Sequence, residues 1–303
     1  MEYNKEEKEK IIQAGKIHSQ VKKYAKEIIR PGVGLKEIAD KIEDKIHELG
    51  GRVAFPTNLS INEIAAHYTP LWNDKSNAKG LLKVDIGVHV DGYVADSAFS
   101  LDLDEQESSE SKENKALIKA ANSSLEAAKN TIKNRVKISE IGKEIKKAAE
   151  PFVTIKNLTG HQIEQYDLHA GLSIPNYDNE SSEEITPGLY AIEPFVSTKN
   201  SLGRIKEGKP SEIYLLISDQ KPRSQIARNV LNYIINEYSS LPFCTRQIVR
   251  SLGNKALIGI RELERNGNLH NFPQLIEVSG EKVAQSEHTF LVLEDDEVIT
   301  TTE

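Results

Sequence analysis

Four acidic residues and a histidine stand where their chemistry needs explaining. Asp85 and Asp96 lie in LKVDIGVHV and YVADSAFSL, two alternating apolar segments joined by Asp91-Gly92. Glu193 interrupts LYAIEPF, and Glu287 interrupts VAQSEHTFLVL. A carboxylate inside an apolar strand is costly to bury unless it is paired or bound to a metal. His161 follows Thr159-Gly160 in NLTGHQIEQYDLHAG, with His169 eight residues further on. Four carboxylates and an imidazole, with no thiolate, form an oxygen-rich donor set. That set suits Mn, Fe, Co or Zn at a two-metal hydrolytic centre better than a structural zinc. Each acid taken singly also reads as a strand-edge residue facing water.

The hairpin supplies a geometric argument. Asp-Gly between alternating segments signals a two-residue turn, because a type I′ turn needs two residues tolerant of positive φ. Such a turn pairs Val90 with Tyr93 and sets Asp96 opposite Gly87. Asp85 and Asp96 then become diagonal neighbours on one face, about 7–8 Å apart at the backbone. Flanked by Val84, Ile86, Val88 and Val94, two carboxylates there repel, and a cation between them removes the conflict. A wet face carrying ordinary surface charge is the other reading. Competing motifs are weak: His47-Glu48 lacks the second histidine of a zincin helix, PGVG at 31–34 is no phosphate loop, and no G-x-S-x-G elbow occurs. Cys244, the only cysteine, rules out an internal disulfide and a Cys-only zinc site, and reads as a small buried apolar residue.

The elements around these residues follow from periodicity. Residues 5–29 read as an amphipathic helix and residues 35–49 as a second, ended by Gly50-Gly51. Val53–Tyr68 reads as short strand and loop. Six carboxylates crowd residues 102–113, which reads as a solvated loop and helix start. One long helical region is expected over 113–150, then strands and loops over 153–196. Residues 219–272 read as three helices carrying eight basic and four acidic residues, a net +4. A basic helical segment between strand-rich flanks reads as an insert, with the body at 1–218 and 273–303.

Composition sets the outer limits. The chain has 303 residues with 39 Lys+Arg against 46 Asp+Glu, a net charge of −7. With +4 in the insert, the rest carries −11. A global acid excess argues against DNA as a partner. No apolar run approaches the ~18 residues of a membrane span, and the charged start MEYNKEEKEK has no signal core. A cytoplasmic, monomeric protein without membrane contact is expected.

Five segments together, NLSINEIAAHYTP, VDIGVHVDGYVADSAFSL, LTGHQIEQYDLHAGLSIPN, YAIEPF and AQSEHTFLVLEDDEVITTTE, resemble the type II methionine aminopeptidases over nearly the whole chain. The similarity is to the short archaeal form. The resemblance implies an α+β pita-bread fold with a helical, winged-helix-like insert at 219–272. It implies two divalent ions per chain, drawn from Co, Mn, Fe, Ni or Zn, held by Asp85, Asp96, His161, Glu193 and Glu287. Asp96 and Glu287 are implied to bridge the ions, with Asp85 serving one and His161 and Glu193 the other. His67 and His169 are implied to contact substrate, with Glu193 as a proton shuttle. The methionine pocket falls on Phe55, Leu168, Phe195 and Phe272, the last being Tyr in some relatives. The expected partners are N-terminal peptides of nascent proteins; the +4 charge of 219–272, with Arg246, Arg250, Arg261 and Arg265, reads either as a solvated helical face or as a docking surface for the ribosome. Rival readings are a Xaa-Pro aminopeptidase or dipeptidase, or a non-catalytic RNA- or protein-binding relative. Only 84 residues precede Asp85, little room for the extra domain usual in the Xaa-Pro peptidases, and all five ligand positions are filled.

Overall fold

A computed structural model describes residues 3–303; Met1 and Glu2 of the charged start lie outside the described residues. Two helices open the chain, α1 (Lys5–Ile28) and α2 (Leu35–Glu48). Asn4 caps α1 by accepting from the Glu7 backbone, while the Glu7 side chain accepts from Asn4, so two orphan donors are satisfied reciprocally. Gly50 ends the α2 segment at a φ of 84°, open to glycine at little cost. Strands β1 (Arg52–Ile61), β2 (Ile64–Ala66), β3 (Leu81–Val90) and β4 (Tyr93–Asp102) follow. Strands β1, β3 and β4 form an antiparallel sheet in that order. Val84, Ile86 and Val88 of β3 pack into one core with Ile17 and Val21 of α1 and Ile38, Ile42 and Ile46 of α2. The helices therefore cover one face of the sheet, and alternation sends Asp85 to the other. Asp91 and Gly92 turn the hairpin at φ of 52° and 83°, pairing Val90 with Tyr93 and Gly87 with Asp96 as the sequence predicts.

The second half starts the same way, with long α3 (Ser109–Thr131) and short α4 (Ile138–Ala149). Here the structure corrects the expected single helix. Residues 132–137 break it, because Arg135 takes a φ of 62° and bonds with Ile185 tie 135–136 to a distant loop. Helix α3 also begins earlier than expected, capped by Ser108. Ser111 and Asn114 in its first turns donate to Asp102 at 2.5 and 2.8 Å, so part of the acidic stretch fastens β4 to α3 rather than facing water. Next come β5 (Val153–Thr154), β6 (Thr159–Ile163), β7 (Ser173–Pro175), β8 (Gly188–Ile192), β9 (Phe195–Ser197) and β10 (Ile205–Leu216).

Three helices then appear where they are expected, α5 (Gln225–Tyr238), α6 (Thr245–Leu252) and α7 (Ala256–Arg265), with β11 (Phe243–Cys244) between the first two. They share a core of Val230, Leu231, Ile234, Ile248, Ile260 and Leu263. The chain closes with β12 (Leu269–Glu277), β13 (Val283–Gln285), β14 (His288–Val292) and β15 (Val298–Thr300). The remaining sheets run β11-β10-β12-β2, β13-β9-β5 and β15-β14-β8-β6-β7. Among the described residues no helix is long and apolar enough to cross a membrane.

One reading of the basic residues in 219–272 is corrected by the structure. Arg246 is 2% exposed and faces inward. It donates to Glu43 at 2.6 and 2.9 Å, to Asp40 at 2.7 Å and to the Pro70 carbonyl at 3.1 Å. Arg250 pairs with Asp44. Two of the four arginines read as a solvated or ribosome-docking face instead clamp the helical segment to α2.

Candidate active site

The ligand-type residues are brought together by a seam between the two halves. Thr289 on β14 accepts from the Asp96 backbone at 2.8 Å and donates to the Asp96 carbonyl at 2.7 Å. One residue on, Ser97 donates to the Glu287 carbonyl at 2.6 Å, and the Glu287 amide donates to Ala98 at 3.0 Å. Strand β4 is thus sewn to the β13–β14 segment, and Asp96 and Glu287 are fixed side by side. Strand pairing adds the rest. His161 on β6 lies opposite Ala191 on β8, and Ile192 opposite His288. Continuing those registers by one or two residues sets Glu193 beside Glu287 and diagonal to His161. Gly160 lets β6 close on β8, since a Cβ there would stand 2.4 Å from the Ala191 carbonyl.

Ligand atoms of Asp96, His161 and Glu287 all lie within 4.8 Å of one another, enough to hold a cation. His161 Nε2 is 3.7 Å from Asp96 and 4.0 Å from Glu193. Asp85 Oδ1 and Asp96 Oδ1 are buried without a hydrogen-bond partner. Buried acceptors are rarely left unpaired, and unpaired carboxylate oxygens on residues that line one cavity fit a divalent cation. The electrostatics agree. Burial raises Asp85 to about 7. Burial, then the charges of Asp85 and Glu193, pushes Asp96 well above the usual carboxylate range. Glu193 is raised by burial and by Asp85, and Glu287 by burial and then Asp96, Glu193 and Asp85. His161 is pulled down to about 3 by burial and by His169, leaving a neutral imidazole with a lone pair to offer.

These shifts predict a pH-dependent effect of metal. Each carboxylate ionises at a higher pH in the folded chain than in the unfolded one. Between those two pKa values the folded state holds the extra proton, so ionisation lowers stability as pH rises. The metal-free protein should therefore lose stability as pH increases from about 5 to about 8. A bound divalent cation should remove that loss, so the melting-temperature gap between loaded and chelator-treated protein should widen over this range. A constant gap in differential scanning calorimetry would contradict the cluster's proposed charge state.

The eleven residues named from the sequence as ligands, substrate contacts or pocket wall all line one cavity of about 250 Å³. Phe55, Leu168, Phe195 and Phe272 form apolar wall. The Phe55 ring lies over Gly87, where a Cβ would stand 2.3 Å from it. His67 takes a φ of 60°, in the left-handed region that a non-glycine residue visits rarely. Its Nδ1 lies 3.2 Å from the Pro273 carbonyl and its ring packs edge-on to Phe272. Burial holds it down to about 4. The His169 ring stands 4.4 Å from that of His161, centroid to centroid. Sequence reasoning missed Asn58, Ile213, Pro242 and Leu275, which also line the cavity. Asn58 was hidden because β1 is a continuous strand rather than short strand and loop: it runs along β3 with irregularities between Val53, Phe55 and Asn58 that break the alternation.

Comparison with known proteins gives a consistent result. The profile of metallopeptidase family M24 matches residues 9–294. The methionine aminopeptidase of Thermococcus onnurineus is 44% identical over 303 residues, covering 98% of this chain and 100% of that protein. A solved methionine aminopeptidase from Thermotoga maritima is similar in fold with a TM-score of 0.69 at 20% identity, covering 99% of this chain and 98% of that one. A solved thermophilic Arx1 gives a TM-score of 0.82 at 15% identity, covering 99% and 91%. At those identities the two structures bear on the fold alone.

Proposed function

Because the chain belongs to metallopeptidase family M24, we propose that this pita-bread protein is a metal-dependent methionine aminopeptidase, which removes the first residue of proteins that begin with methionine and prefers a small second residue. One observation carries the reading: four carboxylates and an imidazole converge in a cavity that also has an apolar wall. Asp85, Asp96, His161, Glu193 and Glu287 are the residues that would hold two divalent ions. Bound there, the ions supply a water acidified towards neutral pH and a Lewis acid for the scissile carbonyl.

The side chains divide the remaining work. Phe55, Leu168, Phe195 and Phe272 receive the methionine side chain. His67 faces a carbonyl through Nδ1, which fixes the proton on that nitrogen and leaves Nε2 as an acceptor for a substrate N–H. His169 donates to the scissile carbonyl oxygen as negative charge develops. Glu193 moves a proton from the attacking water to the leaving amine. His169→Ala and His67→Ala should keep their metal and lose roughly 10²–10³-fold in turnover, the usual cost of one such contact. Metal content falling in step with activity would place them among the ligands instead.

The substrate is tested by offering metal-loaded protein Met-Ala-Ser and Ala-Pro peptides. Release of methionine from the first alone is expected. Cleavage of Ala-Pro alone would favour a Xaa-Pro peptidase, and cleavage of neither would favour a binding protein. The assembly of all five donors in one cavity weighs against that last reading.

A further inference from the structure

Gln285 is 1% exposed and has no role in the chemistry above. Its backbone is held from both sides of the molecule: it pairs with Phe195 on β9, its amide donates to Ser100 Oγ at 2.9 Å, and its carbonyl accepts from the same hydroxyl at 2.8 Å. From this anchored position the side-chain nitrogen points into the acidic cluster. It lies 3.3 Å from Glu193 Oε2, 3.5 Å from Asp85 Oδ2 and 3.5 Å from Glu287 Oε2. Three of the four clustered carboxylates thus face one amide group.

We propose that Gln285 is a positioning residue, whose amide hydrogens set the orientation of the Glu193, Asp85 and Glu287 carboxylates for metal binding. The inference rests on the metal-site reading. An ionised carboxylate offers about four lone-pair sites on its two oxygens. Sites not directed at a cation need donors, or the group turns freely and the donor set loses its shape. A primary amide suits this task. It brings two N–H donors on one atom and carries no charge, so it does not compete with a cation as a lysine would. Two hydrogens among three acceptors also let the amide follow small shifts of the carboxylates as ions load. Partners of this kind behind metal ligands typically account for about 10- to 100-fold in affinity.

The test uses the full chain with Co(II) as probe. Gln285→Met keeps the side chain's length and removes both donors. Co(II) affinity is measured by competition with a chromophoric chelator, and the visible spectrum of bound Co(II) reports ligand geometry. The expected result is Co(II) binding weakened about 10- to 100-fold with an altered spectrum, while kcat falls more than KM rises. Should Gln285→Met fail to fold, Gln285→Glu preserves the shape while replacing the donors with a fifth acidic group, and the spectrum must again change. Unaltered affinity and spectrum in a folded variant would overturn the positioning role while leaving the metal site intact. Failure of the unmodified protein to bind Co(II) would instead overturn the reading of the site itself.

Discussion

Asp96→Ala should fold, bind metal poorly and lose more activity than the roughly 10²–10³ that removal of a single stabilising donor costs. Asp96 sits at the centre of the cluster, facing His161, with its own charge raising the pKa of Glu287. The main-chain bonds that join β4 to Thr289 do not involve its side chain, so the seam survives the substitution. The same variant should behave oppositely towards stability. Without metal, four buried carboxylates oppose one another, and removing one relieves that repulsion. Chelator-treated Asp96→Ala is therefore expected to melt at or above the temperature of chelator-treated unmodified protein once the pH passes about 7, where Asp85 ionises. Loss of activity with equal loss of metal-free stability would show that Asp96 has a structural role instead.

The second large effect lies far from the chemistry. Arg246→Ala strands the Glu43 carboxylate, itself 3% exposed, without its cationic partner. Breaking a buried ion pair from one side typically costs about 3–5 kcal/mol, because the remaining charge stays buried and unpaired. Asp40 suffers less, since Lys36 also reaches it at 2.6 Å. Adding Glu43→Gln to Arg246→Ala removes the stranded charge and should recover much of the loss. Urea unfolding of the single and double variants measures this directly, and equal instability of both would assign the cost to lost packing. The proposed methionine pocket should register the change as well. Phe272 on β12 pairs with Ile213 on β10, and the clamped helices connect those two strands. A rise in KM without metal loss is expected.

Local chemistry explains what was readable in the chain. The Asp91-Gly92 turn fixes the hairpin register through its own φ preferences, so the closeness of Asp85 and Asp96 follows from two residues and alternation. Helical periodicity places α1, α2 and the three helices within 219–272 equally well. What escaped depends on distant partners. The break before α4 is held by Ile185, and the early start of α3 belongs with Asp102 on β4. Arg246 reads as surface charge until α2 brings Glu43 against it. Gln285 carries no charge and no pattern, and only its anchoring beside three carboxylates gives it significance. For the site itself, residue types and strand context picked out the four carboxylates and His161, but the role of each ligand, the substrate-contacting histidines and the apolar pocket came from family resemblance. The structure supplies the seam that gathers those members into one cavity.

The most direct measurement is methionine release from Met-Ala-Ser by chelator-stripped protein, followed as Mn(II) or Co(II) is restored. No release is expected before metal is added, with recovery that saturates as the site fills. Release that is indifferent to metal, or absent with every divalent ion, would contradict metal-dependent methionine release.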